Sequence, residues 1–174
     1  MSQAAAKRLS AIHIPHVNPD FDWDKIAYFT QLSRIMDERE ETELVPSKEV
    51  LYQFSARGHD VPQVMLASLL ADKNDAICGY YRSRPVLLTL GVPLDDAMAG
   101  PLARSGGYSD GRDIGVVFNY PNVDGPSALP MCGGVGAQYT PSAGWAQAIE
   151  YYSKTLNDSA YDKSIAVVLS LIHI

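Results

Sequence analysis

Several features that mark specialised proteins are scarce or missing in this sequence. It has only two cysteines, Cys78 and Cys132, which show neither the CxxC spacing of a zinc site nor the density of a disulfide-rich secreted domain. Its longest apolar stretch, residues 165–174, contains Ser170 and His173 and is too short to span a bilayer. These absences predict a soluble protein of the reducing cytoplasm that does not enter a membrane.

Clusters of basic residues are also missing. The chain has 14 Lys and Arg residues against 20 Asp and Glu residues, a net charge of -6, and no basic run exceeds Lys7-Arg8. A nucleic-acid-binding surface needs a concentration of positive charge that this sequence does not have. We therefore expect no nucleic-acid partner.

The residues that are present suit one globular domain. A chain of 174 residues with 47% hydrophobic and 20% charged residues has the usual composition of a soluble protein with a single core. Pro15 and Pro19 disfavour helix near the amino terminus, so residues 1–21 are expected to form an extended arm. Residues 22–174 then make up the domain.

Apolar spacing and capping residues predict a series of helices. The first begins at Asp22, with Trp23, Ile35 and their helical neighbours buried and residues 37–43 in solvent. A second is capped by Asp60, and Gln63 completes a capping box. Two short helices follow, over 85–90 up to Gly91 and after Pro93 up to Gly100. A last helix runs from Thr140-Pro141 to about Asn157, with a buried face of Trp145, Ala148, Ile149 and Tyr152.

The rest of the domain contains a long loop and a buried strand. Residues 105–134 hold too many Gly and Pro residues for regular elements, apart from a short strand around 114–118, and a loop of this length is usually functional. Residues 164–169 form a continuous β-branched run, which is typical of a strand buried on both faces of a parallel sheet. The sequence therefore predicts an α/β fold, a parallel sheet flanked by helices.

The glycine-rich segment 132–145 carries the strongest chemical signal. It leads directly into the last helix, and such a junction can present free backbone N–H groups to an anion. It is not a dinucleotide fingerprint, because Tyr139 stands where the third glycine is required, and the chain has no GxxxxGK[ST] string. The alternative is a structural loop whose glycines only allow close packing.

Weaker signals come from other polar residues. In Tyr80-Tyr81-Arg82-Ser83-Arg84 a guanidinium beside a phenol could hold a phosphate, or could form a surface ion pair. His59 beside Asp60 could be an oriented base, although a residue next to a helix cap is the simpler interpretation. The pair His13 and His16 is a weak zinc pattern without further ligands. Both cysteines are expected to be buried thiols.

Together, five segments resemble one family. They are Gly58-His-Asp-Val-Pro-Gln-Val64, Gly79-Tyr-Tyr-Arg82 with Leu87-Leu88-Thr-Leu-Gly91-Val-Pro, Gly111-Arg-Asp113, Gly134-Val-Gly-Ala-Gln138 and Ala143-Gly144. In order and spacing they resemble the alpha chain, or alpha-like half, of the thiamine-diphosphate-dependent decarboxylating component of 2-oxo acid dehydrogenases. The resemblance covers about residues 54–168 and lies nearer the branched-chain than the pyruvate type.

The resemblance implies a thiamine-diphosphate-binding fold and a set of cofactor contacts. Tyr81 and Arg82 would contact the diphosphate, Val135 would lie near the ring junction of the bent cofactor, and the Gly136 backbone would face the aminopyrimidine. Family members decarboxylate a 2-oxo acid on thiamine diphosphate and pass the acyl group to the lipoyl arm of an acyltransferase partner. The glutamate that activates the cofactor comes from a beta chain or beta-like half, so no catalytic residue is assigned to this chain, which would be an oligomer when full length.

Two departures from the family pattern affect these expectations. Residues 116–121 lack the histidine that many relatives carry near the substrate, so no substrate contact is carried over there. The Mg²⁺ motif, a Gly-Asp-Gly after the buried strand and a later Asn, should follow residue 169, but the chain continues as Ser170-Leu-Ile-His-Ile174. We therefore expect an inactive amino-terminal fragment, truncated after an early core strand, with residues 169–174 as a candidate non-native tail and the metal ligands downstream. A genuine strand end in a short protein is the alternative.

Two other functions remain open at this point. One is a different thiamine-diphosphate enzyme, similar to acetoin dehydrogenase. The other is a non-catalytic phosphate-binding or interaction module whose glycine loop is structural.

Overall fold

A three-stranded parallel sheet lies at the centre of the fold. The computed structural model describes residues 20–113 and 116–170. In it, β1 (Ala76–Cys78) pairs on one side with β2 (Ser127–Ala128) and on the other with β3 (Ala166–Val168). Helices flank this sheet, which confirms a small α/β domain with a parallel sheet.

β1 is one of two strands that the sequence analysis does not predict, and β2 is the other. All three of its residues are buried, and Ala76 and Ile77 are fully enclosed. Successive side chains of a strand point to opposite faces. Accordingly Ile77 belongs to the larger core cluster, while Ala76 and Cys78 pack with Leu129 in a smaller one on the other face.

β3 falls within the predicted strand but in a different environment. Residues 164–169 were expected to be buried on both faces, whereas all three residues of β3 are partly exposed. The reason is its position, because β3 lies at the edge of the described sheet and pairs only with β1.

The first two helices begin close to the predicted positions. α1 (Trp23–Arg39) is capped by Asp22, whose side chain accepts a hydrogen bond from the Lys25 N–H, and a π-helical segment (Glu40–Leu44) continues it. In α2 (Asp60–Ser68) the expected capping box is wrong: His59 occupies the cap position, and Asp60 is the first helical residue. Gln63 reaches the Tyr80 hydroxyl instead of the cap.

The buried stripe of α1 also differs from the prediction. Trp23 and Ile35 are 63% and 60% exposed, while Asp37 and Glu40, predicted to be in solvent, are each 1% exposed. The helix therefore presents a polar side to α2 and to the helix that begins at Arg84. Arg84, which lies far away in sequence, pairs with both carboxylates and makes their burial possible.

The two short helices are confirmed. α3 (Arg84–Leu90) ends at Gly91, and α4 (Leu94–Ala99) follows Pro93 and ends at Gly100. The long loop after them contains the short strand β2 and a single-residue bridge between Tyr120 and Ala128. Within the described part of the expected strand at 114–118, residues 116–118 are not in a strand.

The last helix lies on the opposite face of the sheet from α1–α4. α5 (Tyr139–Glu150) starts two residues before Pro141, the predicted first helical position, so the expected cap Thr140 lies inside the helix. Gln138 occupies the cap position without a side-chain capping bond, and the helix continues as a π-helical turn (Tyr151–Thr155). Its predicted buried face is only partly correct. Trp145 and Ile149 are half-buried, whereas Ala148 and Tyr152 are exposed, because α5 is the only described helix that covers this face.

Some expectations fall on residues that the structure does not describe. Residues 1–19 of the extended arm, including His13 and His16, lie outside the described residues, as do Ile114, Gly115 and residues 171–174 of the candidate tail. Within the described ranges, no helix combines the length and the apolar character needed to cross a bilayer.

Candidate functional site

The predicted site residues follow the carboxyl ends of neighbouring parallel strands. Tyr81 and Arg82 follow the end of β1 after an interval of two residues, and Val135 and Gly136 lie in the segment after β2. The two segments touch near the sheet, where the Cys78 thiol contacts the Pro130 carbonyl at 3.5 Å. The end of the glycine loop also reaches β3, because Gln138 Nε2 donates to the Leu169 carbonyl at 2.7 Å. In open α/β sheets this carboxyl edge is where ligands bind.

Arg82 is held in an aromatic setting. Its guanidinium carbon lies 5.5 Å from the ring centroids of both Phe54 and Tyr81, and those two rings are 4.7 Å apart. One guanidinium nitrogen donates to the Ser55 carbonyl at 2.5 Å. Among the described residues no carboxylate forms a salt bridge with Arg82. This geometry does not match the surface ion pair considered from the sequence, and it leaves guanidinium donors for an anion.

The segment that holds Arg82 is itself anchored by a buried carboxylate. Asp37 Oδ2 accepts from the Ser55 hydroxyl at 2.9 Å and from the Ala56 N–H at 2.7 Å. Asp37 Oδ1 accepts from Arg84 at 2.9 Å, and a second nitrogen of Arg84 donates to Glu40 at 2.5 Å. No local sequence pattern indicates this network, since its members lie on separate elements.

Glu40 is the under-compensated member of that network. Two buried carboxylates share one guanidinium, and burial, only partly offset by Arg84, raises the pKa of Glu40 above its ordinary value. The sequence places Glu40 in an acidic run, where a solvated side chain is the default expectation. The burial of Glu40 is explained by its pairing with Arg84, which is 44 residues away in the sequence.

His59 lies in a second polar group beside the same segment. Its Nδ1 is 2.7 Å from the Tyr80 hydroxyl, which also accepts from Gln63 Nε2 at 3.2 Å. Gln63 donates to the phenol oxygen, so the Tyr80 hydroxyl proton is available for a bond to His59. Burial raises the pKa of Tyr80, so this phenol stays protonated as a donor. Asp60 does not orient His59 but pairs with Arg34.

The glycine loop is more self-contained than the sequence suggested. The Gly136 N–H donates to Gln138 Oε1 at 3.0 Å, and its carbonyl accepts from the Tyr139 N–H at 3.2 Å. The Ala137 N–H donates to the Gly134 carbonyl at 3.1 Å. These N–H groups are therefore not free for an anion, contrary to the expectation from the sequence. Gly136 has a φ of +91°, which favours glycine.

The side chain of Val135 remains available for contact. It is 51% exposed at the turn of the loop, between residues whose backbone groups bond within the loop. An exposed apolar side chain at this position can support a ring without supplying any charge. Val135 is thus open to a ligand, although the structure records no contact between it and Arg82.

The two cysteines differ from each other. Cys78 is buried in β1, and burial raises the pKa of its thiol, so it is an unreactive core residue as expected. Cys132 is exposed, which corrects the expectation that both thiols are buried. It lies in the glycine loop, where its sulfur is 3.4 Å from the Gly134 nitrogen.

The described residues fit an organic diphosphate better than a metal ion. Arg82 offers a planar cation beside two adjacent rings, and Val135 offers an exposed apolar contact. In residues 20–113 and 116–170 no group of three or more His, Cys, Asp or Glu side chains could hold a metal ion. None of these residues is therefore assigned to Mg²⁺, and no step is derived through that ion.

Comparison with known proteins does not extend the resemblance. No protein-family model matches this chain, and a search of curated proteins gives no match either.

Proposed function

We propose that this chain contributes the diphosphate-binding and ring-supporting part of a thiamine-diphosphate-dependent 2-oxo acid dehydrogenase. The observation that carries this proposal is the guanidinium of Arg82, which is half-buried beside two adjacent aromatic rings beyond the carboxyl end of β1. A planar, permanently charged group with free donors suits a diphosphate, which it can bind in a bidentate manner. The five-segment resemblance identifies the same residue.

Each predicted residue has a physical task in this proposal. Arg82 binds the diphosphate and Tyr81 stacks against its guanidinium, so the charge is held in one orientation. Val135 supports the bent cofactor at its ring junction, and the loop around Gly136 positions the aminopyrimidine. When bound, thiamine diphosphate supplies the nucleophilic carbon that attacks the 2-oxo group and releases carbon dioxide.

The remaining parts of the reaction come from outside the chain in this proposal. A beta chain or beta-like half supplies the activating glutamate, Mg²⁺ is held by residues beyond this sequence, and a lipoyl-bearing acyltransferase takes the acyl group. The part of the site held by this chain therefore binds and orients the cofactor. The contribution of this chain can therefore be measured as its affinity for the cofactor, without an assay of turnover.

The test is a calorimetric titration of the purified chain with thiamine diphosphate, with and without Mg²⁺. Arg82→Ala should weaken binding by roughly 1.5–3 kcal/mol, the range for a hydrogen bond to a charged group, or about 10- to 150-fold. Arg57→Ala is the matched control, because this exposed arginine lies in the same region but pairs with Glu41. Equal dissociation constants for the wild type and Arg82→Ala would contradict the proposal.

Val135 distinguishes the cofactor from its diphosphate alone. Val135→Gly should weaken thiamine diphosphate binding and leave inorganic pyrophosphate binding unchanged, because an apolar side chain adds nothing to a bare anion. Val123→Gly, a change at an even more exposed valine in another loop, is the control. Equal loss for both ligands would show that Val135 only stabilises the loop.

A second candidate function is a non-catalytic phosphate-binding module. It is favoured by the internal hydrogen bonds of the glycine loop, which are those of a structural loop. In that case pyrophosphate binds as tightly as thiamine diphosphate, and Val135→Gly affects neither. If the chain does bind the cofactor, assays of the assembled enzyme with 2-oxo acids and with acetoin separate the dehydrogenase from the acetoin-cleaving alternative.

A further inference from the structure

We propose that Asp37 is a positioning residue that fixes the guanidinium of Arg82 through the main chain of Ser55 and Ala56. The inference rests on the proposed anion-binding role of Arg82 and adds a residue that does not itself touch the ligand. It starts from an unusual feature, a carboxylate that is 1% exposed in the last turn of α1.

The two oxygens of Asp37 serve two different partners. Oδ1 accepts from Arg84, and Oδ2 accepts from the Ser55 hydroxyl and the Ala56 N–H. The first bond compensates the buried charge. The two bonds to Oδ2 attach the 54–56 segment to α1 through two adjacent residues.

That segment contacts Arg82 through two of its residues, Phe54 and Ser55. The Ser55 carbonyl accepts from the guanidinium, and the ring of Phe54 lies over it on one side. A third contact comes from Tyr81, next to Arg82 in sequence, whose ring lies beside that of Phe54 with the two centroids 4.7 Å apart. Any shift of the segment therefore moves two of the three groups that orient the cation. Orientation matters here because bidentate binding of a phosphate requires the guanidinium plane to be set in advance.

The isosteric change Asp37→Asn separates positioning from packing. An asparagine has one acceptor oxygen, so its NH₂ group must face either Arg84 or the donors of Ser55 and Ala56. Glu40→Gln is the matched control, because Glu40 is equally buried and pairs with the same arginine but does not contact the 54–56 segment. Ser55→Ala removes one of the two anchoring bonds without leaving a buried charge unpaired.

Two measurements on the full 174-residue chain test the inference. The first is the affinity for inorganic pyrophosphate by calorimetry. We expect Asp37→Asn to lower it roughly three- to tenfold and Ser55→Ala about twofold, because the 54–56 segment loses hydrogen bonds to the carboxylate and orients Arg82 less firmly, and Glu40→Gln to leave it unchanged. The second is the NMR signal of the Arg82 side-chain N–H, which the rings of Phe54 and Tyr81 shift by their ring currents. It should move toward its unshifted position in Asp37→Asn and stay in Glu40→Gln.

The outcomes separate this inference from the proposed function. Weaker binding and a displaced Arg82 signal in folded Asp37→Asn support it, while an unchanged affinity and an unmoved signal overturn it. If Asp37→Asn does not fold, Ser55→Ala decides by the same two measurements. If wild type does not bind pyrophosphate, the proposed function fails, and the Arg82 signal alone decides whether Asp37 positions Arg82.

Discussion

The two faces of the sheet are covered in different ways. On the Ile77 face, α1–α4 bury a core of ten described residues together with the charges of Asp37, Glu40 and Arg84. On the other face three buried residues pack under α5, which has only Ser142 fully buried. The diphosphate-binding candidate Arg82 is anchored to the first region, and Val135 belongs to a loop held mainly by its own hydrogen bonds. A change in the first region can therefore reach the site from a distance, whereas a change in the second acts locally.

The largest expected effect on stability comes from removing Arg84, the cation that Asp37 and Glu40 share. Arg84→Met should lower the free energy of unfolding by roughly 3–5 kcal/mol, because it leaves two carboxylates buried without an ionic partner. Urea denaturation of the two proteins measures this. Arg39→Met is the control: this arginine of α1 pairs with Glu43 at the surface, so its loss should cost at most about 1 kcal/mol. Equal stability of Arg84→Met and wild type would mean that the network contributes nothing.

The second prediction concerns the glycine loop. Gly136→Ala should lower the free energy of unfolding by about 1–2 kcal/mol, the cost of a side chain in the left-handed region, since φ there is +91°. No steric clash adds to this, because the nearest atoms to an added Cβ are Tyr139 ring carbons at 3.7 Å. Gly133→Ala is the matched control, with nothing within 4 Å of its Cβ and no positive φ. Similar losses in both variants, measured by urea denaturation, would show that backbone strain is not the cause.

The third prediction concerns the stability that α5 contributes on the sheet face with the smaller core. The Trp145 indole N–H donates to the Asn74 carbonyl at 2.8 Å, beside the small core of Ala76, Cys78 and Leu129. Trp145→Phe keeps most of the apolar contact and removes that bond, so thermal or urea unfolding should show a loss of about 0.5–1.5 kcal/mol. Trp23→Phe, at an exposed position on α1, should change stability much less. A larger loss of stability in Trp23→Phe than in Trp145→Phe would show that the Trp145 bond does not hold α5 on the sheet.

The helices were easier to predict than the strands and the buried charges. Pro93, Gly91 and Asp22 act within one turn of the helices they begin or end, so local sequence was sufficient. β1 was missed because Ala-Ile-Cys has no long β-branched run, and its identity as the central strand depends on β2 and β3 pairing from distant parts of the chain. Tertiary pairing overrides local propensity in such cases.

The site follows the same rule. The segment containing Tyr81 and Arg82 could be found from the sequence because a cation and phenols are adjacent there. The anchor at Asp37 could not, since its partner Arg84 is 47 residues away, and Asp37 begins an acidic run that ordinarily lies in solvent. Likewise, the N–H groups of the glycine loop are occupied by partners such as Gln138 Oε1, which spacing alone does not reveal.

The smallest expected effect concerns the pH dependence of the buried network, because titrating Glu40 removes no side chain and leaves Asp37 paired with Arg84. Burial raises the pKa of Glu40 above the ordinary 4.5, so the folded protein keeps this proton to higher pH than the unfolded chain. Between 4.5 and the raised pKa the folded state therefore binds more protons, and the contribution of Glu40 to the free energy of unfolding falls as pH rises. Below that window the contribution is fully present.

Glu40→Gln has no such titration, so the stability of wild type minus that of Glu40→Gln should decrease from acid toward neutral pH in urea denaturation at a series of pH values. Glu38→Gln, at an exposed position on α1, is the control. A difference that increases with pH would mean that Arg84 outweighs the burial of Glu40, and the two carboxylates would then be equally well compensated.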